Sequence, residues 1–118
     1  MPSANVSMNA SFNGNTLTID GRSFEHPHTI RDVRVWRDRV FVIYDYMEFA
    51  SGKPAANMVC VDADGQQLWM ASNPTEANPV DAWVEFMPHE LFGIWNFACF
   101  ACKFDPNTGT LTEVKFTK

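Results

Sequence analysis

The sequence predicts an all-β protein, on three observations. Apolar residues alternate with period two through most of the chain, turn signals recur about every ten residues, and no stretch holds a helical period for three turns. Together these give about nine antiparallel strands arranged as a meander, a sandwich or a small barrel. Residues 1–118 read as a single domain, since a chain of this length that is 46% hydrophobic and 14% aromatic can bury a core without staples.

"SMNASF" and "TLTID" flank Asn13-Gly14, a strong hairpin signal because both residues tolerate positive φ, and Asp20-Gly21 turns the chain again before "RSFE". Pro27 in "HPHT" then interrupts the pattern by removing a ladder donor. "IRDVRVW" and "RVFVIYDY" are expected to pair through a turn near Arg37-Asp38. In the second of these, Val40, Val42, Tyr44 and Tyr46 fall on one face and Phe41, Ile43 and Asp45 on the other. Both faces are largely apolar, so this strand is expected to be covered on both sides.

"MEFASGKPAAN" is a connection of about ten residues, longer than a usual hairpin loop. "MVCVD" and "QLWMA" form the next hairpin, and "SNPTEANP" is a polar loop. In "VDAWVEFM", Val80, Ala82, Val84 and Phe86 oppose Asp81, Trp83, Glu85 and Met87. "FGIWNFACFACKF" and "TLTEVKFT" close the chain around "DPNTG", where Asp105-Pro106 opens the turn and Gly109 closes it. A short helix over 88–95 is the alternative for the start of that hairpin.

Net charge is −5, unevenly spread. Residues 1–39 carry five Arg and four acids (+1), residues 40–102 carry eight acids and Lys53 alone (−7), and residues 103–118 carry three Lys and two acids (+1). A central segment this acidic disfavours nucleic acid and favours a basic partner, provided its carboxylates share a face. Otherwise they simply solvate loops and hairpin tips. The start, "MPSANVSMNASFNGN", has neither the basic nor the apolar region of a signal peptide, and no run reaches a membrane-span length. The three cysteines have no framework spacing. A cytoplasmic protein without membrane contact is expected.

Chemical motifs are few. "DADG" has carboxylates two apart, yet a calcium loop needs further oxygens that Gln66, Gln67, Leu68 and Trp69 do not supply, so Asp62 and Asp64 read as turn makers. Cys99 and Cys102 form C-x-x-C inside an expected strand, where residues three apart face opposite ways, and read as buried structural thiols. His26 and His28 can share a face, but no spacing specifies a third metal ligand. No catalytic constellation, cofactor or metal is expected.

The stretch "VCVDADGQQLW" resembles the hairpin of quinoprotein-type propeller blades, and "DPNTGTL" resembles the matching hairpin of a next blade. That resemblance implies a partial-propeller-like arrangement; the quinone does not carry over, because only hairpin residues match. Over the whole chain, "GNTLTIDG", "PHTIRDV", "VFVIYDY" and "DPNTG" are similar to small single-domain bacterial proteins that resemble polymorphic-toxin immunity proteins. This implies a non-enzymatic binding protein that occludes a basic toxin domain with an acidic face. Asp45, Glu48, Glu76, Asp81 and Glu85 are the expected partner-binding residues, with Trp83 as anchor. Two other readings stay open: a homo-oligomeric structural domain pairing through strand edges around "FGIWNF", and a small-ligand or metal binder using His26, His28 and the 47–56 loop.

Overall fold

The computed structural model describes residues 8–49, 55–71, 82–97 and 99–117. Strands form where the period-two pattern places them, and glycine or aspartate turns separate them. β1 (Ala10–Asn13), β2 (Thr16–Ile19) and β3 (Arg22–Glu25) make the first sheet. β4 (Ile30–Trp36), β5 (Arg39–Tyr44), β6 (Met58–Asp62) and β7 (Gln67–Met70) make the second. β8 (Trp83–Phe86), β9 (Gly93–Asn96), β10 (Phe100–Phe104) and β11 (Leu111–Phe116) make the third. All pairings are antiparallel between consecutive strands, so each sheet is a meander. No helix among the described residues is long and apolar enough to cross a membrane.

The all-β expectation holds, with eleven strands among the described residues rather than about nine. One addition comes from "FGIWNFACFACKF", which is two strands and not one. Cys99, at φ 71°, turns the chain between β9 and β10. Cys99 is therefore exposed and lies in a turn, against the expectation of a buried strand thiol, whereas Cys60 and Cys102 are buried. The short helix considered for 88–95 does not form: Gly93–Asn96 is strand, bonded on both sides.

The second sheet is the middle layer, as the two apolar faces of β5 predict. Val40, Val42 and Tyr44, with Val59 and Val61 of β6, pack against Leu17 and Ile19 of the first sheet. Phe41 and Ile43, with Met58, Cys60 and Trp69, pack against Trp83, Phe86, Ile94, Cys102 and Phe104 of the third. Burying both faces of one strand is what joins two cores through a single sheet. Phe41 sits at the centre of an aromatic cluster, its ring within 6.4 Å of those of Trp36, Trp69, Phe86, Phe92 and Phe104.

Hydrophobic packing leaves register free to slide; two polar side chains fix it. Asn57, fully buried, donates from Nδ2 to the Tyr44 carbonyl (2.9 Å) and the Trp83 carbonyl (2.7 Å), and its Oδ1 accepts from Trp83 N–H (2.9 Å). It thus acts as a piece of β-ladder between the second and third sheets. Asp32 works likewise at the other end of β8, accepting from Val33 N–H (2.9 Å) and Phe86 N–H (3.0 Å). Between these two anchors β8 carries a bulge, with the register shifting from Trp83 to Glu85. The bulge overturns the simple alternation expected for "VDAWVEFM": Trp83 and Phe86 both point inward, although three residues apart.

Glycine turns then lock neighbouring sheets together. Gly65, in the turn between β6 and β7, lies so close to Phe24 of β3 that a Cβ there would stand 2.6 Å from its ring. Gly109, in the turn between β10 and β11, meets Trp69 of β7 in the same way, at 2.4 Å. The two hairpins singled out in the sequence therefore touch, and Trp69 Nε1 donates to the Pro106 carbonyl at 3.0 Å.

Two stability predictions follow from these contacts. Asn57→Ala removes three buried hydrogen bonds and strands their backbone partners, so urea denaturation should show a loss of about 3–5 kcal/mol. Gly109→Ala should cost about 2–4 kcal/mol, because a clash adds to its positive φ. Gly14→Ala, also at positive φ but with nothing within 4 Å, should cost only about 1 kcal/mol. Equal losses for the two glycine variants would show that φ alone governs both sites.

Candidate functional site

Two regions carry exposed or titratable chemistry. The first is a groove of about 560 Å³ lined by β3 and the residues after it (Ser23, Phe24, Glu25, His26, Pro27), by Tyr44 and Val61, and by Gly65 and Gln67. Pro27 ends the ladder and swings His26 and His28 onto the Tyr44 ring, with centroids 5.8 and 5.4 Å away. His26 Nδ1 and the Tyr44 hydroxyl are 2.7 Å apart. Burial lowers the His26 pKa from 6.5 and pushes that of Tyr44 up to about 12. His26 Nδ1 and the Tyr44 hydroxyl thus share one part-buried hydrogen bond, whose direction is set by the histidine tautomer. Beside it, His28 stacks on Phe49 at 4.3 Å. The two histidines do share a neighbourhood, but among the described residues no group of three His, Cys, Asp or Glu gathers there. Residues 50–54 of the long loop lie outside the described residues.

The second region is the outer face of the third sheet. Cross-strand register sets Glu85, Trp95, Ala101 and Lys115 in one row over four strands. The β8 bulge turns Glu85 outward into this row. Trp95, 37% exposed, alternates with buried Ile94 and Asn96. Phe97 and Leu91, at the two ends of β9, are also exposed, and the Phe97 ring lies 5.6 Å from that of Tyr46. Lys103 and Glu90 pair at 3.4 Å on the third sheet, so this surface mixes both signs of charge.

The expected partner-binding residues are dispersed. Asp45 caps the single 3₁₀ turn Tyr46–Glu48, accepting from Met47 N–H at 2.9 Å. Glu48 accepts from Thr29 N–H at 2.9 Å and lies 3.6 Å from His28 Nδ1. Hydrogen bonding from Thr29, helped by the His28 charge, holds its carboxyl below the usual carboxylate range. Asp62 caps its own turn through Asp64 N–H and Gln66 N–H, and Asp64 pairs with Arg22 at 3.1 Å. Both act as the turn makers the sequence predicts. Glu76 and Asp81 lie outside the described residues. Trp83 is fully buried, so it anchors the core and offers no surface to a partner. Among the described members of the expected set, only Glu85 lies in the exposed row.

Trp95 and Lys115 are not among the expected partner-binding residues. Alternation does not reveal the exposure of Trp95, because Trp95 and Phe97 make an apolar face that no further layer among the described residues covers. The expected edge around "FGIWNF" is also overturned: β9 is an interior strand, between β8 and β10.

Residues 7–116 match the family model described as Domain of unknown function (DUF7957). The chain belongs to that family. No curated protein and no solved structure gives a match to the chain.

The histidine site generates a pH prediction. A histidine whose pKa is lowered on folding costs stability only where the unfolded chain binds the extra proton, which begins below 6.5. Unfolding free energy should be level above pH 6.5 and fall as the pH drops through and below that value. His26→Gln should flatten this first decline. A separate decline below about pH 4.5, where Glu48 gives up its Thr29 bond, should survive that change. A urea series against pH on the two proteins checks both windows.

Proposed function

We propose that this protein works by binding another protein, with no catalysis of its own, through the outer face of the third sheet. The observation that carries the reading is the exposed Trp95, with Glu85 beside it in its row, Lys115 beyond Ala101 on the other side, and Phe97 nearby. Leu91 and Phe97, at the two ends of β9, are exposed large apolar side chains beside it. Aromatic anchors with charged neighbours are the usual composition of a recognition surface.

The specific form we favour is toxin neutralisation in the cytoplasm. The module covers the substrate site of a basic toxin domain, Trp95 filling a pocket on it and Glu85 meeting its cations. Support comes from the sequence likeness to immunity proteins and the acidic 40–102 segment. Because Asp45, Glu48, Asp62, Asp64 and Glu90 already have intramolecular partners, steering falls to Glu85, with Glu76 and Asp81 preceding it in the chain.

Calorimetric titration against basic toxin domains of the polymorphic class tests this. Trp95→Ala should weaken binding at least about tenfold, which is about 1.4 kcal/mol. Glu85→Lys should chiefly slow association and reduce its salt dependence. An affinity unchanged in both variants would move the interface elsewhere. Full toxin activity at saturating protein would end the neutralisation reading.

A further inference from the structure

Among the described residues, β11 is the outer strand of the third sheet and pairs only with β10. Its backbone orientation can be read from two bonds. Thr117 N–H donates to the Cys99 carbonyl at 2.9 Å, and Phe104 N–H to the Phe92 carbonyl at 3.0 Å. In an antiparallel ladder alternate residues turn their backbone groups to the same side. Glu113 and Lys115 therefore direct theirs into the sheet, while Val114 and Phe116 direct theirs to the open edge.

The side chains of those two residues are also uncovered. Val114 is 46% exposed and Phe116 is 55% exposed, although they share the inward face with buried Cys102 and half-buried Phe100. Among the described residues β11 thus presents unpaired backbone groups along one side and an exposed apolar stripe on its inward face. Glu113 and Lys115 flank Val114 on the other face. If a second β11 runs antiparallel with Val114 opposite Val114, Glu113 of each copy faces Lys115 of the other. That register is also one in which the outward backbone groups of Val114 meet their counterparts. Hydrogen-bond parity and charge order agree on one alignment.

We propose that two copies of the chain pair through β11, antiparallel about Val114, joining their third sheets into one continuous eight-stranded sheet. The contact is isologous, so it closes at a dimer and does not propagate. It also sets two Trp95 rows on one shared surface. The inference stands on the strand edge alone and does not depend on the protein-partner reading above.

Sedimentation equilibrium from about 10 µM to about 1 mM, spanning the weak-association range, measures the mass against the 13.4 kDa monomer. A concentration-dependent rise towards twice that mass is expected. Lys115→Glu sets like charges opposite each other across the axis and faces only Ala101 within the chain, so it should weaken the dimer at least about tenfold. Adding Glu113→Lys to it restores opposite charges between copies, and dimerisation should return. Val114→Pro removes an outward N–H without touching the ladder to β10, and should abolish pairing. Thermal melting of each variant confirms folding, the check that matters most for Glu113→Lys because Glu113 faces Lys103 within the sheet. Should Val114→Pro fail to fold, the charge swap decides. A monomer at every concentration, a dimer indifferent to Lys115→Glu, or a folded double variant that stays monomeric would each overturn the proposal.

Discussion

The Asn57 carboxamide is the interaction on which the rest of the arrangement depends. It is fully buried, takes both Trp83 backbone groups and the Tyr44 carbonyl, and so links β5, β6 and β8 with one side chain. Apolar faces attract without specifying alignment, and a sheet sliding over another by one residue would expose what it should bury. A carboxamide imitates a peptide group, with a donor and an acceptor at matching spacing. It can therefore extend a ladder between sheets that share no strand. Asp32 completes the constraint from β4 by holding Phe86 N–H. With β8 fixed at both ends, the bulge between them becomes obligatory, and Trp83 and Phe86 both enter the core.

A second recurring device joins layer to layer. In two places a turn glycine of one sheet lies flat on an aromatic ring from the last strand of the sheet before it: Gly65 on Phe24, and Gly109 on Trp69. Both glycines have positive φ, which frees the turn to present bare backbone to the ring. Polar contacts reinforce each junction. Arg22 pairs with Asp64 at the first, and Arg39 donates to the Pro106 carbonyl and to Asn107 at the second. The stack thus propagates by one rule applied twice, and the third sheet, with no further sheet against it among the described residues, keeps an exposed outer face. That open face is where Trp95 and the Glu85–Lys115 row are displayed.

The distribution of charge follows from the same construction. Carboxylates in the central segment serve largely as local hydrogen-bond acceptors: Asp45 at a 3₁₀ turn, Asp62 at a hairpin, Glu48 at the Thr29 amide. Such groups satisfy backbone donors that strands leave unpaired where they end. A −7 segment therefore yields no single acidic face among the described residues, and the third sheet displays an aromatic, mixed-charge surface instead.

Much of this architecture was legible in the sequence. The two apolar faces of Val40–Tyr44 named the middle strand, and Asp20-Gly21, Arg37-Asp38, Asp62–Gly65 and Asp105–Gly109 named the turns, because alternation and φ preference are local properties. Other features were not legible because they arise between distant segments. The inward turn of Trp83 needs Asn57 and Asp32 pulling on β8 from another sheet; by alternation alone Trp83 sat with Glu85 on the opposite face from Phe86. The exposure of Trp95 depends on the order of the layers among the described residues, and the edge position of β11 depends on the order of four strands. By itself the sequence determined what each strand would be. Only the tertiary structure decided which of their faces and edges were left to meet anything else, because burial belongs to pairs of surfaces and not to a single stretch of chain.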